Sequence, residues 1–387
     1  MIQQRTLPRF VAHPQETLHK IGAFGKKNAV LLIAAACAIV TSCIVPPDAA
    51  YLGYFDLKTL TCLFCTLAVV CALKNIRFFT VLSRKIVQCT GSLRMAVLAL
   101  VWVTFIGSML ISNDMALLTF LPLGYFVLTF TGMQKYMAFV FIMQNIAANL
   151  GGMLTPFGNP QNLYLYSFFN IPTGEFMSIM LIPFVAAIAL ITVCCLCLPG
   201  TKLEMPADAN ERLPKGRTAI YLVLFALALV VVFRVIPYWI GLIVITGALL
   251  FMDRKALSQV DYGLLGTFVC FFIFAGNMAR IPAVSTLMSG LLEKNTLVFS
   301  VLSCQVISNV PSAILLSQFT ENYRELLLGV NIGGVGTLIA SLASLITFRE
   351  YSKQDPGHTF RYILKFSAYN FAFLIILIAV CSVAKAL

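Results

Sequence analysis

The chain alternates long apolar runs with short polar interruptions, and the run lengths set the first expectation. A helix that crosses a bilayer needs about 20 mostly apolar residues. Crossings are expected at 29–45, 57–73, 135–150, 176–198, 218–236, 239–252, 261–279, 325–347 and 362–384. Two further apolar regions, 93–130 and 296–320, are each broken mid-way by a polar cluster. The first break is Ser112-Asn113-Asp114 and the second is Ser308-Asn309-Val310-Pro311. Polar residues and proline at membrane depth are tolerated only where protein shields the backbone or a cavity runs past it. Both regions therefore read as re-entrant helical hairpins. The fold class is an all-α polytopic membrane protein of about 11 membrane elements, nine crossings and two hairpins.

The pattern also repeats. Ile111-Ser112-Asn113 recurs as Ile307-Ser308-Asn309, and Asn149-Leu-Gly151-Gly152 recurs as Asn331-Ile-Gly333-Gly334. A short amphipathic piece precedes each hairpin, and each piece follows a span opened by an aspartate, Asp56 or Asp261. Features that return in the same order define two units, 29–198 and 239–387. The extra helix at 218–236 would turn the second unit upside down, making the repeats inverted. Residues 1–28 are then a cytoplasmic N-terminal segment, and 199–217 is a cytoplasmic linker.

Composition agrees. The chain is 60% hydrophobic and 11% charged, against about 45–50% and about 25% in soluble domains. That excludes a soluble enzyme and a disordered chain. The net charge of +12 reads as basic cytoplasmic loops rather than a nucleic-acid surface. With the N-terminus inside, 21 Lys and Arg fall on the cytoplasmic side and 6 outside, Lys385 among the latter. This asymmetry places the C-terminus outside and gives the two hairpins opposite orientations. The twelve Cys lie mostly in apolar runs, and the three His fall in polar stretches. No disulfide, no metal site and no cofactor is expected.

Inverted repeats with interrupted helices are a carrier device, with substrate and coupling ions bound near mid-membrane. Asp114 is the one acid of fifteen that this topology places at membrane depth. Intramembrane acids mark ion or proton pathways, although an aspartate there can also cap the returning helix. Substrate contacts are expected from Ser112, Asn113, Thr155, Asn159, Asn162, Ser308, Asn309 and Thr337. Coupling-ion contacts are expected from Asp114, Asn149, Gly151, Asn331 and Gly333. The stretch from Thr155 to Asn162 holds two prolines and cannot continue a lipid-facing helix. Its counterpart, Thr337 to Ser344, is milder, so the first half is richer in ligands.

The runs ISNDMALLTFLPL, NLGGMLTPFGNPQNLYL, SNVPSAILL and NIGGVGTLIASLASLI resemble the citrate-transporter-like ion transporter superfamily. That group includes divalent anion/sodium symporters, citrate–metal symporters, arsenite permeases and some sodium/proton antiporters. The resemblance covers nearly the whole chain from about residue 29. It implies a homodimeric elevator-type carrier with substrate between the two hairpin tips. It also implies cation sites at Ser112, Asn113 and Gly151, and at Ser308, Asn309 and Gly333. The dicarboxylate branch carries Ser-Asn-Thr at both tips, whereas Asp114 and Val310 stand third here.

The resulting expectation is an ion-coupled secondary transporter, not an enzyme. It would move a small citrate- or dicarboxylate-like anion, driven by Na+ or H+, across a prokaryotic plasma membrane. The alternative is a Na+/H+ antiporter or arsenite permease that uses Asp114.

Overall fold

The computed structural model describes residues 29–88, 90–202 and 213–386. The expected N-terminal segment 1–28 and positions 203–212 of the expected linker lie outside them. Among the described residues the regular structure is entirely helical.

The first half runs α1 (Ala29–Ile44), α2 (Leu57–Asn75), α3 (Phe78–Gln88), α4 (Leu93–Ile111), α5 (Asn113–Phe130), α6 (Met137–Gly151), α7 (Pro160–Phe168) and α8 (Thr173–Leu196). Two connecting helices follow, α9 (Lys215–Val232) and α10 (Tyr238–Met252), with the short α11 (Arg254–Ser258). The second half runs α12 (Tyr262–Ala279), α13 (Pro282–Ile307), α14 (Asn309–Leu316), α15 (Tyr323–Ile332), α16 (Leu342–Gln354) and α17 (Thr359–Ala386).

Among the described residues, eight helical stretches are long and apolar enough to cross a membrane. They are α2, α4, α5, α6 with its flanking turns, α8, α9, α12 and α17. The protein is a polytopic membrane protein. Expected crossings 29–45 and 239–252 are helices of only 16 and 15 residues. Pro46-Pro47 stops the first, and Asp253 ends the second. Expected crossing 325–347 is not one helix. It stops at Ile332 and restarts at Leu342, because Ser341 caps the new start by accepting from Ser344 N at 3.2 Å.

Both polar clusters interrupt helices where the sequence placed them. The arms differ in length, however. α4 and α5 have 19 and 18 residues, whereas α14 has 8. α13 is itself broken at Asn295 (φ −167°, ψ 92°). Asn295 Oδ1 accepts from Val298 N at 3.0 Å and restarts the helix that leads to Ser308.

The core forms around α6, whose residues are buried on every face. A helix apolar all round belongs inside a bundle, and α4, α5, α8, α16 and α17 pack around this one. The amide nitrogens of its polar residues are paired, while Gln144 Oε1 has no partner among the described residues. Gln144 Nε2 donates to Thr104 Oγ1 at 3.1 Å and to Phe120 O at 3.0 Å. Asn145 Nδ2 donates to Ser344 Oγ at 3.4 Å and its Oδ1 accepts from Thr347 at 3.3 Å. Such bonds between spanning helices contribute roughly 1 kcal/mol each.

The two aspartates that open α2 and α12 are N-caps. Asp56 Oδ1 accepts from Thr59 N at 3.0 Å, and Asp261 Oδ1 accepts from Leu264 N at 2.9 Å. Asp261→Ala is expected to cost about 1 kcal/mol, read as a lower thermal midpoint in detergent. An unchanged midpoint would show that the cap contributes nothing. Outside the spans, Arg280 bonds Asp48 at 2.6 Å and holds that carboxyl below its usual range.

Candidate functional site

The two helix breaks share their backbone geometry. Ser112 has φ 68° and ψ 154°, and Ser308 has φ 77° and ψ 157°. Positive φ is uncommon for a residue with a Cβ and costs on the order of 1–3 kcal/mol. It persists where the surroundings fix it, and here it occurs twice at matched positions. After each serine, the asparagine turns its side chain back on the new helix. Asn113 Oδ1 accepts from Asp114 N at 2.9 Å, and Asn309 Oδ1 accepts from Val310 N at 2.9 Å.

A second matched pair ties each tip to the glycine break that follows it. Thr155 donates to Met109 O at 3.1 Å, and Thr337 donates to Gln305 O at 3.1 Å. Met109 and Gln305 each lie four residues before their tip asparagine. Thr155 and Thr337 thus hold the ends of α4 and α13 with their hydroxyls.

The asparagines join the halves. Asn113 Nδ2 donates to Asn149 Oδ1 at 3.2 Å. Asn159 Nδ2 donates to Asn149 O at 3.3 Å and to Asn331 Oδ1 at 3.4 Å. Asn331 Nδ2 donates to Asn162 Oδ1 at 2.6 Å. Asn309 closes the set from the other tip: a Cβ built on Gly334 would sit 3.1 Å from Asn309 Nδ2 and 3.6 Å from Asn149 Oδ1. Asn113, Asn149, Asn159, Asn162, Asn309 and Asn331 are all buried. Both tips and both breaks therefore meet in one polar cluster inside an apolar core.

Two side-chain amides fill the breaks. Asn162 Nδ2 donates to Gly152 O and Met153 O at 3.2 Å and to Thr155 O at 3.3 Å. In the second half Gln305 Nε2 donates to Gly333 O at 2.9 Å and to Val335 O at 3.2 Å, while its Oε1 accepts from Thr337 N at 2.8 Å. These amides satisfy carbonyls that a broken helix leaves unbonded. Gly151 and Gly333 line the same places. Gly151 is pressed against Phe105 O and Ser108, and Gly333 against Cys304.

A family model described as Citrate transporter matches residues 24–323, a stretch that includes both tips and the first break. The chain belongs to the citrate transporter family. An uncharacterized transporter of Methanocaldococcus jannaschii is 33% identical over 295 residues, covering 76% of this chain and 80% of that protein. The inner membrane protein YbiR of Escherichia coli is 30% identical over 282 residues, covering 70% and 74%. The resemblance read from the tip and break motifs is borne out. The family model and the archaeal relative are described as transporters, as the interrupted helices led us to expect.

In this citrate transporter family member, Asp114 is not the helix cap that its position allows. Asn113 makes the local bond, and Asp114 Oδ1 is buried without a partner among the described residues. Asn159 Oδ1 and Gln161 Oε1 share that state. All three unpartnered atoms are acceptors. Sequence reasoning missed Asn145, Gln144, Thr347 and Gln305. A signal existed for Asn145, which lies one helical turn before Asn149 on the same face. None existed for Gln305, since its counterpart Met109 is apolar.

Proposed function

We propose that this protein is an ion-coupled secondary carrier for a small citrate- or dicarboxylate-like anion, with the asparagine cluster as its substrate and coupling-ion region. The observation that carries this reading is the bonded series Asn113–Asn149–Asn159–Asn331–Asn162, which links both halves where their helices break. Helix starts at Asn113, Pro160, Asn309 and Leu342 border these breaks. Helix N-termini favour negative charge, which suits a carboxylate. In this reading the halves are inverted repeats with hairpins at 93–130 and 296–320. Two copies work as a homodimeric elevator in the plasma membrane, N-terminal segment cytoplasmic and C-terminus outside.

The coupling ion is Na+ or H+. Asp114 favours a role for itself, because a carboxylate oxygen with no donor is a place for a cation or a proton. The same atom favours a second reading, Na+/H+ antiport without an organic substrate.

The test is reconstitution into liposomes loaded with a pH-sensitive dye. Labelled citrate and succinate uptake is measured under imposed sodium or proton gradients. Gradient-driven uptake is expected, falling to background in Asp114→Asn. If uptake is absent and sodium instead triggers proton movement that the mutant loses, the anion-carrier reading fails and antiport replaces it.

A further inference from the structure

A cavity of about 280 Å³ lies between the turn before α6, the end of α16 and the start of α17. It is well removed from the asparagine cluster. Met137, at the near end of α6, is twelve residues from Asn149, about 18 Å along a helix. Lys135, Arg361 and Lys365 line the cavity. None of the three meets a carboxylate among the described residues. Among the described residues that line it, the one acid is Asp355, and its oxygens are taken. Asp355 accepts from the Tyr351 hydroxyl at 2.9 Å and bonds His358 Nδ1 at 2.8 Å. His358 holds the Asp355 carboxyl below its usual range. The cationic excess at this cavity is therefore not cancelled from within.

Tyr362 gives an independent sign of a ligand. Its ring stacks on Tyr351 at 4.1 Å between centroids, and the residue is 1% exposed. Its hydroxyl is buried with no partner among the described residues. A buried Tyr hydroxyl ordinarily finds a partner, and this one belongs to a residue that lines the cationic cavity. The neighbouring surface is apolar: Phe360 is 73% and Leu364 57% exposed. Such a boundary of cationic and apolar residues matches the edge of a bilayer. The charge asymmetry assigns Lys135, Arg361 and Lys365 to the cytoplasmic side.

We infer that this cavity binds a phosphate-bearing anion between Lys135 on one side and Arg361 and Lys365 on the other. Arg and Lys both serve phosphate oxygens, Arg by paired N–H donors, and Tyr362 supplies a neutral donor. The anion joins the entry of α6 to the start of α17 without entering the transport region. The phosphate has two sources, the headgroup of an anionic inner-leaflet lipid or a soluble phosphate.

Binding is read on the full-length, delipidated protein as the ligand dependence of its thermal midpoint in neutral detergent. One arm adds phosphatidylglycerol in mixed micelles, with phosphatidylcholine as the reference. The other adds inorganic phosphate or pyrophosphate at constant ionic strength. The Arg361→Ala/Lys365→Ala double variant is expected to bind about 30-fold more weakly, and Tyr362→Phe about fivefold. Both cationic positions are exposed, so their loss leaves the fold intact. A Lys215→Ala/Arg217→Ala control removes two exposed cations elsewhere and is expected to match wild type. Stabilisation by phosphatidylglycerol alone identifies the lipid, and stabilisation by phosphate as well identifies the soluble anion. No stabilisation in either arm, or equal weakening in the control, overturns the proposal.

Discussion

Asn162→Leu is expected to destabilise the protein by about 3–5 kcal/mol and to leave little of it folded in the membrane. The side chain is fully buried and nearly isosteric with leucine, so shape is not the issue. What goes is a donor that serves Gly152 O, Met153 O and Thr155 O, and an acceptor that serves Asn331. Each buried group left without a partner costs about 1–3 kcal/mol, and inside a bilayer no water replaces the lost bond. Asn331 Nδ2 keeps its bond to Leu327 O at 2.8 Å, and the side chain of Asn331 is then tied to the first half only through the longer bond it accepts from Asn159 Nδ2 at 3.4 Å. Asn159→Ala gives the contrast. Its amide donates to Asn149 O and Asn331 Oδ1 through long bonds, and its own oxygen already lacks a partner. That variant is expected to stay folded at a cost of about 1 kcal/mol. Thermal unfolding of both variants in one detergent decides the matter. An Asn162→Leu midpoint equal to that of Asn159→Ala would show that the amide is not holding the break.

The contrast bears on what the sequence can reveal. The interruptions at Ser112 and Ser308 were legible because polar residues inside long apolar runs need a structural reason. Asp56 and Asp261 were legible as the openers of their spans, and the structure adds that both are caps. Asn113, Asn149, Asn309 and Asn331 stood out through their repetition, and they do share one cluster. The jobs within the cluster were not legible. Asn162 read as a ligand contact, yet its amide is committed to three backbone carbonyls. Thr155 and Thr337 read the same way, yet each hydroxyl bonds the carbonyl one turn before a tip. Such roles depend on which carbonyls face the side chain after folding, and no spacing in the chain encodes that. Gln305 escaped notice for a related reason. It fills the second break from α13, whereas the first break is filled from α7. The halves solve one problem with residues at unmatched positions, so a search for repeated letters passes over the solution. Span lengths misled differently: apolar content continues across 325–347 while the helix does not, because glycines at 333, 334 and 336 and serines at 341 and 344 let the chain leave and re-enter helical geometry.

The glycines of the first break are expected to be unequal to those of the second, and Gly151→Ala against Gly334→Ala shows it most clearly. At Gly151 an added Cβ would overlap Phe105 O, a backbone atom of α4, and sit 2.5 Å from Ser108 Oγ. Ser108 is itself held to Phe105 O at 2.8 Å, and both residues are buried. Neither contact is the loose end of a flexible side chain. Relief would require α4 and α6 to part, at a place where the tip of α4 is pinned by Thr155. Overpacking a well-filled core costs about 1–3 kcal/mol, and a clash with backbone belongs at the upper end, about 3 kcal/mol. The shift would also move Asn113 away from Asn149, so transport is expected to fall further than stability alone dictates. At Gly334 the nearest atoms are Asn309 Nδ2 at 3.1 Å and Asn331 O at 3.2 Å. A shift of a few tenths of an ångström in the Asn309 amide and in the Asn331 carbonyl suffices there, and the cost is expected to stay near 1 kcal/mol. Yet Gly334 lies between Asn309 and Asn149, where substrate or coupling ion is proposed to sit. Gly334→Ala should therefore fold, keep its thermal midpoint within a few degrees of wild type, and lose most of its gradient-driven uptake. Wild-type uptake in Gly334→Ala would remove this cluster from the transport path. A wild-type midpoint in Gly151→Ala would show that the packing of α4 on α6 yields more easily than its backbone contact indicates.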